Sequence, residues 1–303
     1  MGFEELLREI AGDHVHGARY LSMRSLKALR LVVEEAESES VEALMETLRR
    51  AGRRLMEARP GMACIANQAA KCIYELAFAA SGMGLEDLKG YALSRIDGMI
   101  KEVESTGMRA AHNGSRLIGD GVKVMSCSYS STIRQVLSEA WRAERRFKAY
   151  VAESLSVHGR GLSYGRLMAE ELRREGLDVE IIPDGEISVF VDEADLALVG
   201  ADMVKPDGSI VNGTPTFSLA YHAWMKGKPF HVICETYKFD ARSLLGIEAV
   251  LEEGFDLVPG RWITEITTER GPVKPWEARD ICGEFKAALK LLLDPERDED
   301  PPV

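Results

Sequence analysis

The stretch Val199–Trp224, VGADMVKPDGSIVNGTPTFSLAYHAW, decides how the chain is read. An apolar, strand-like run ends in an acid, Asp202. A turn with hairpin character, KPDGSIV, follows. Then come Asn212, Gly213 and a helix start with hydroxyls at its tip. A strand that ends in polar residues and passes through a turn into a helix is a building unit of parallel α/β sheets. In such sheets, small ligands sit outside the carboxyl ends of the strands. The residue types here suit an anion, and the pattern leaves open whether the site does chemistry or only binds.

The same alternation continues on both sides. VKVMSC, RFKAYVAES, DVEIIP, DLALVGAD and KPFHVICET are short, apolar and bounded by turn residues. Helical stretches lie between them: SSTIRQVLSEAWRAE, SYGRLMAEELRREG, EISVFVDEA and TFSLAYHAWMKG. This predicts a doubly wound, Rossmann-like parallel sheet of about five to seven strands over residues 116–293. Residues 1–115 read as a helical N-terminal domain. Val41, Leu44, Met45, Leu48, Leu55 and Met56 follow the helical period, and MACIANQAAKCIYELAFAA is rich in small residues that suit tight packing in a bundle. HNGSRLIGDG, His112–Gly121, reads as the hinge between the two. The tail 294–303, DPERDEDPPV, is disordered by composition.

Bulk composition narrows the function. The 303 residues hold 49 Asp and Glu against 38 Lys and Arg, a net charge of −11. Phosphate backbones are bound by clustered cations, so direct nucleic-acid binding is not expected. No apolar run approaches the roughly 20 residues that span a bilayer, and the N-terminus has no signal core. Cys64, Cys72, Cys127, Cys234 and Cys282 make no CxxC pair and suit a reducing cytoplasm. His14 and His16 are spaced i, i+2 and make a poor metal pair, so no metal is expected. The first strand is not followed by GxGxxG, which argues against NAD or FAD, and no cofactor is expected.

The residues just past each strand are the candidate site: Cys127, Ser128, Ser130 and Ser131; Glu153 and Ser154; Asp202, Asn212 and Gly213; Glu235, Thr236 and Lys238. Ser128–Ser131 and Thr214–Thr216 are helix starts, where backbone N–H groups favour a phosphate or carboxylate. Gly213 lets the backbone approach a ligand closely, and Lys238 adds a charge. Each has an ordinary alternative. Hydroxyls at helix starts are often N-caps, Asp202 fits a turn or an ion pair, and Cys127 fits a buried small hydrophobe.

At these residues the chain resembles a known family. It groups the α, β and δ subunits of translation initiation factor 2B with methylthioribose-1-phosphate isomerase and archaeal ribose-1,5-bisphosphate isomerase. The matching stretches are RPGMACIANQA, IGDGVKVMSCSYSSTIRQVL, RFKAYVAES, VDEADLALVGADMV, GSIVNGTPTFSLAYHA, GKPFHVICETYKFD and FDLVPGRWITEI, in order over about residues 55 to 270. The resemblance implies a helical N-terminal domain and a Rossmann-like C-terminal domain. It also implies, for the isomerases, a catalytic Cys after the first strand of the second domain and the Asp of a Gly-Ala-Asp motif. Asp202 matches the acid. The cysteine position aligns with Ser128, and Cys127 is one residue off.

A serine without an adjacent base does not replace a thiolate at neutral pH. Other departures agree. The family's Asn-Lys-x-Gly-Thr is here Asn212-Gly213, its Glu-Ser/Thr-Arg-Pro is here Glu153-Ser154-Leu155-Ser156, and the isomerases' Arg-Gly-Ala is here Arg59-Pro60-Gly61. Loss of both cations would cost a bisphosphate two charge-assisted contacts, each about 1.5–3 kcal/mol. The expected function is therefore that of an initiation factor 2B subunit-like regulatory or scaffold protein. It would bind a sugar phosphate or nucleotide monophosphate through Arg59, Ser128, Ser130, Glu153, Asn212, Gly213 and Lys238 without turning it over. It would form homodimers through its Rossmann-like domain, with hexamers as the larger assembly and a translation factor as a candidate partner. The alternative is an aldose–ketose isomerase acting on a phosphorylated pentose, with Asp202 as acid/base and Cys127 displaced into service.

Overall fold

The computed structural model describes residues 2–155, 161–248 and 250–293; the tail 294–303 lies outside the described residues. The chain forms two compact units. One takes residues up to 104, Asp240–Val250 and 280 onward; the other takes Ser105–Phe239 and Leu251–Arg279.

The first unit is helical, with α1 (Phe3–Gly12), α2 (Ala18–Glu35), α3 (Val41–Ala58) and α4 (Ala63–Ala80). The long α5 (Leu85–Ser115) contributes its first twenty residues. Helix α3 starts at a serine cap, with the Ser40 hydroxyl accepting from the Ala43 N–H. Its Leu44, Leu48 and Leu55 are fully buried, as the helical spacing requires. Helix α4 buries Ala63, Ala66, Ala69 and Ala70, small side chains that bring neighbouring backbones close. Gly52 of α3 serves the same end, since a Cβ there would lie 2.6 Å from Ile73 Cδ1.

The second unit is built on a seven-stranded sheet. Its strands are β1 (Lys123–Ser126), β2 (Lys148–Ala152), β3 (Asp178–Ile182), β4 (Leu196–Val199), β7 (Phe230–Ile233), β9 (Glu265–Thr268) and β10 (Gly271–Val273). The order is β10-β9-β7-β4-β1-β2-β3, parallel except for β10. The intervening helices are α6 (Ser131–Arg142), α7 (Tyr164–Arg174), α8 (Ile187–Glu193) and α9 (Thr216–Met225). Helix α7 packs on β2 and β3, and α9 on β4 and β7. A small antiparallel sheet of β5 (Met203–Val204), β6 (Ile210–Gly213) and β8 (Phe255–Val258) completes the strands. Its β5–β6 hairpin is the turn read from KPDGSIV. Helix α10 (Ala278–Glu284) follows the last strand, and α11 (Lys286–Leu293) packs on α4 in the helical unit. Winding runs outward from β1 in both directions, so the β1–β4 boundary is the topological switch point of a Rossmann-like sheet.

One local expectation is corrected. Helix α5 runs to Ser115, four residues into the stretch read as a hinge. Tertiary packing overrides the weak local preference: Gly114 is pressed against Ile233 and Val136, and Asn113 Nδ2 donates to the Thr268 carbonyl at 2.9 Å.

Where α7 begins, Gly165 lies on the end of β2. A Cβ there would stand 1.8 Å from the Ala152 carbonyl oxygen, a contact that only backbone movement relieves. Gly165→Ala is expected to cost about 3 kcal/mol or more. Urea unfolding checks this, and a wild-type midpoint would contradict it.

Candidate functional site

The turn after β1 and the loop after β4 meet at the switch point because two glycines leave room. A Cβ on Gly200 would lie 2.6 Å from Ser130 Oγ and 3.9 Å from Asn212 Oδ1. A Cβ on Gly213 would lie 2.5 Å from Ser128 Oγ. Ser128, Ser130, Asn212 and Gly213 are thus brought together. Asp202 joins them through the backbone, its N–H donating to the Val211 carbonyl at 2.9 Å. Gly213, read as a point of ligand approach, is met by the Ser128 hydroxyl.

Cys127 and Ser128 part company here. Cys127 is 1% exposed, and its Sγ lies 3.3 Å from Thr216 Oγ1. The Thr216 hydroxyl donates to the Gly213 carbonyl and accepts from Asn212 Nδ2 at 2.9 Å. The thiol is therefore the donor to Thr216. Burial pushes it up to about 12, against the lowering effect of the Thr216 bond, and the carboxylates of Asp256 and Asp184 add to the rise. Ser128 is only half-buried and takes a left-handed conformation with φ 62°.

The two helix starts are already capped by the protein. Ser130 Oγ accepts the Ile133 N–H at 3.2 Å. At α9, Asp256 of β8 accepts the Phe217 N–H at 2.8 Å and the Thr214 hydroxyl at 3.0 Å. The Thr214–Thr216 start, read as an anion site, thus has a carboxylate of the chain on it, which opposes a second anion there.

The remaining candidates divide. Lys238 is buried with Glu235, Nζ to Oε2 2.8 Å, and Thr132 holds the other Glu235 oxygen at 3.0 Å. Burial works against the lysine charge, but Glu235 and then Asp202 outweigh it, and its pKa is raised. Lys238 is thus coupled to Asp202 as well as to its partner. The Glu153 side chain pairs with Arg166 of α7 at 3.2 Å. Arg59 belongs to the helical unit, where it is buried and donates to the Asp13 carbonyl. Among the described residues no cluster has the make-up of a metal site, and no helix is long and apolar enough to cross a membrane.

Two residues of the site, Asp184 and Asp256, escape the sequence reading, and a third is legible only in part. Asp184 follows β3 and binds the loop after β2, and its place just past a strand end is the signal that marks it. Thr216 is visible only as one hydroxyl of a helix start. Asp256 lies inside a strand, and no local signal marks it.

A helical unit and a Rossmann-like unit, with polar strand ends gathered at the switch point, define the class of α/β protein. The description "Initiation factor 2 subunit family" fits residues 14–254, and the chain belongs to this family. It is 30% identical over 289 residues to a Pyrococcus horikoshii protein named translation initiation factor eIF-2B subunit 2-like, covering 91% of this chain and 97% of that one. It is 27% identical over 292 residues to the ribose 1,5-bisphosphate isomerase of Archaeoglobus fulgidus, covering 89% of each. Among solved structures, Pyrococcus horikoshii OT3 translation initiation factor eIF-2B superposes with a TM-score of 0.74 at 27% identity, covering 92% of this chain and 98% of that one. A chain of the tetrameric eIF2B β2δ2 complex of C. thermophilum shares the fold, with a TM-score of 0.81 at 20% identity over 93% and 94% of the two chains.

The buried ion pair gives a direct test. Lys238→Met leaves Glu235 without its cation and is expected to cost about 3–5 kcal/mol, whereas Lys238→Met with Glu235→Leu recovers much of that loss. The raised lysine pKa makes the pair's contribution complete below about pH 10.5 and lost as pH climbs through the higher folded value. Urea titrations across pH check both statements, and equal losses in the single and double variants would contradict the first.

Proposed function

We propose that this chain is a binding and assembly protein of the initiation factor 2B subunit type, with a pocket for a sugar phosphate or nucleotide monophosphate that it does not turn over. One observation carries the reading. The thiol next to Ser128 in the chain, Cys127, is buried, hydrogen-bonded to Thr216 and pushed up to about 12, and the half-buried residue beside Gly213 is Ser128. Aldose–ketose conversion needs a group that accepts a proton near neutral pH. A serine hydroxyl without a base and a thiol held protonated do not supply it.

Asp202 favours the second reading, an isomerase acting on a phosphorylated pentose. It is half-buried and lies in the field of Lys238, and several relatives are named ribose 1,5-bisphosphate isomerase. ³¹P and ¹H NMR with ribose 1,5-bisphosphate separates the two. The expected outcome is a shifted or broadened ligand signal with no ketose formed. Accumulation of the ketose bisphosphate, abolished by Asp202→Asn, would replace the first reading with the second.

Assembly rests on the outer face of α9. Phe217, Tyr221, Trp224 and Met225 are exposed at spacing i, i+4, i+7 and i+8. Their opposite face, Leu219, Ala220 and Ala223, is buried. The three aromatic rings pack on Trp262, and Leu257 of β8 is also exposed. Contiguous apolar surface of this kind marks an interface, here with a second copy of the chain. Trp224→Glu is expected to shift the protein to monomer in analytical ultracentrifugation with its thermal transition retained. An unchanged sedimentation coefficient would remove this face from the assembly.

A further inference from the structure

The turns at the ends of β1, β2 and β3 are linked by one chain of hydrogen bonds. Asp184, past the end of β3, accepts the Ser154 N–H on one carboxylate oxygen at 2.7 Å and the Leu155 N–H on the other at 3.0 Å. Ser154, past the end of β2, is 1% exposed. Its hydroxyl donates to the Ala152 carbonyl at 3.0 Å and accepts the Ser128 N–H at 2.7 Å. The polarity is consistent throughout, because the hydroxyl proton is committed to Ala152 and a lone pair is left for Ser128.

Both serines hold left-handed backbones, with φ 52° at Ser154 and 62° at Ser128. Such conformations are costly for residues other than glycine and persist where surrounding bonds fix them. At Ser154 the fixing group is Asp184, and at Ser128 it is the Ser154 hydroxyl. The outcome is the placement of the Ser128 hydroxyl over Gly213.

The structure assigns Asp184 and Ser154 as positioning residues, a relay that sets Ser128 at the ligand site from two strands away. This rests on the pocket reading above, in which Ser128 meets the ligand. The relay holds the residue by its peptide N–H, so the identity of the side chain at 128 and its placement are controlled separately.

Ser154→Gly gives the sharpest test. Glycine accepts φ near 52° without cost, so the variant keeps its fold while losing the acceptor. Two readouts are taken. In ¹⁵N-serine-labelled protein without ligand, the Ser128 amide, assigned with Ser128→Ala, is expected to move upfield and exchange faster in Ser154→Gly and in Asp184→Asn. With ribose 1,5-bisphosphate as probe, followed by ³¹P NMR titration, Ser154→Gly is expected to bind about tenfold more weakly while keeping a single cooperative thermal transition, the loss in binding of roughly one hydrogen bond's worth of order. A Ser128 amide unmoved in both variants overturns the relay, as does a moved amide with wild-type affinity. Amide changes in the two variants, with a wild-type protein that binds neither this probe nor ribose 5-phosphate nor AMP, support the relay and defeat the pocket reading instead.

Discussion

The site depends on two missing side chains. Gly200 and Gly213 leave space that the hydroxyls of Ser130 and Ser128 fill, so the turn after β1 can close against the loops after β4 and β6. A side chain at either position would displace the serine hydroxyl that now fills the space. Sheet order makes the meeting necessary, because β1 and β4 are neighbours at the point where the winding reverses. The local rule for ligand placement in open α/β sheets becomes here a matter of atom-to-atom contact.

Given that closure, the electrostatics of the strand ends follow. Backbone amides that could face an anion are taken by the chain's own carboxylates, Asp256 at the start of α9 and Asp184 at Ser154 and Leu155. The one buried lysine beside them is bound to Glu235 and coupled to Asp202. Charges and amides at these strand ends are thus largely balanced within the protein, and the Ser128 hydroxyl is the polar group set between the closing loops. This fits the loss from the sequence of the two cations that the family's motifs carry.

Much of the fold was legible because its signals are local. Five strands of the main sheet, the helices between them and the hairpin over KPDGSIV all follow from apolar runs and turn residues. Strand β9, EITT, is mostly polar and pairs with the distant β7, and β10, GPV, carries a Gly and a Pro that disfavour strands. The return of Asp240–Val250 to the helical unit is likewise set by distant contacts, such as the Arg242 guanidinium on the Pro60 carbonyl at 2.6 Å. At the site, sequence could name Ser128, Ser130, Asn212 and Gly213 by their place after strands. It could not show that Glu153 turns to Arg166 or that Asp256 reaches across to α9, because each depends on a partner far away in sequence; Glu235 and Lys238 are only three residues apart, but their burial as a pair is set by the packing around them.

The seat of Cys127 has a consequence beyond proton transfer. Peroxide attacks thiolates that it can reach. All five cysteines of this chain are buried, and the three whose acidity is perturbed, Cys72, Cys127 and Cys234, are all driven toward the protonated form by burial. While folded, the protein presents oxidants with no exposed thiol, and its accessible sulfur is that of methionines such as Met108 and Met225. At Cys127, the packing that holds the thiol protonated is also what shields it from oxidation.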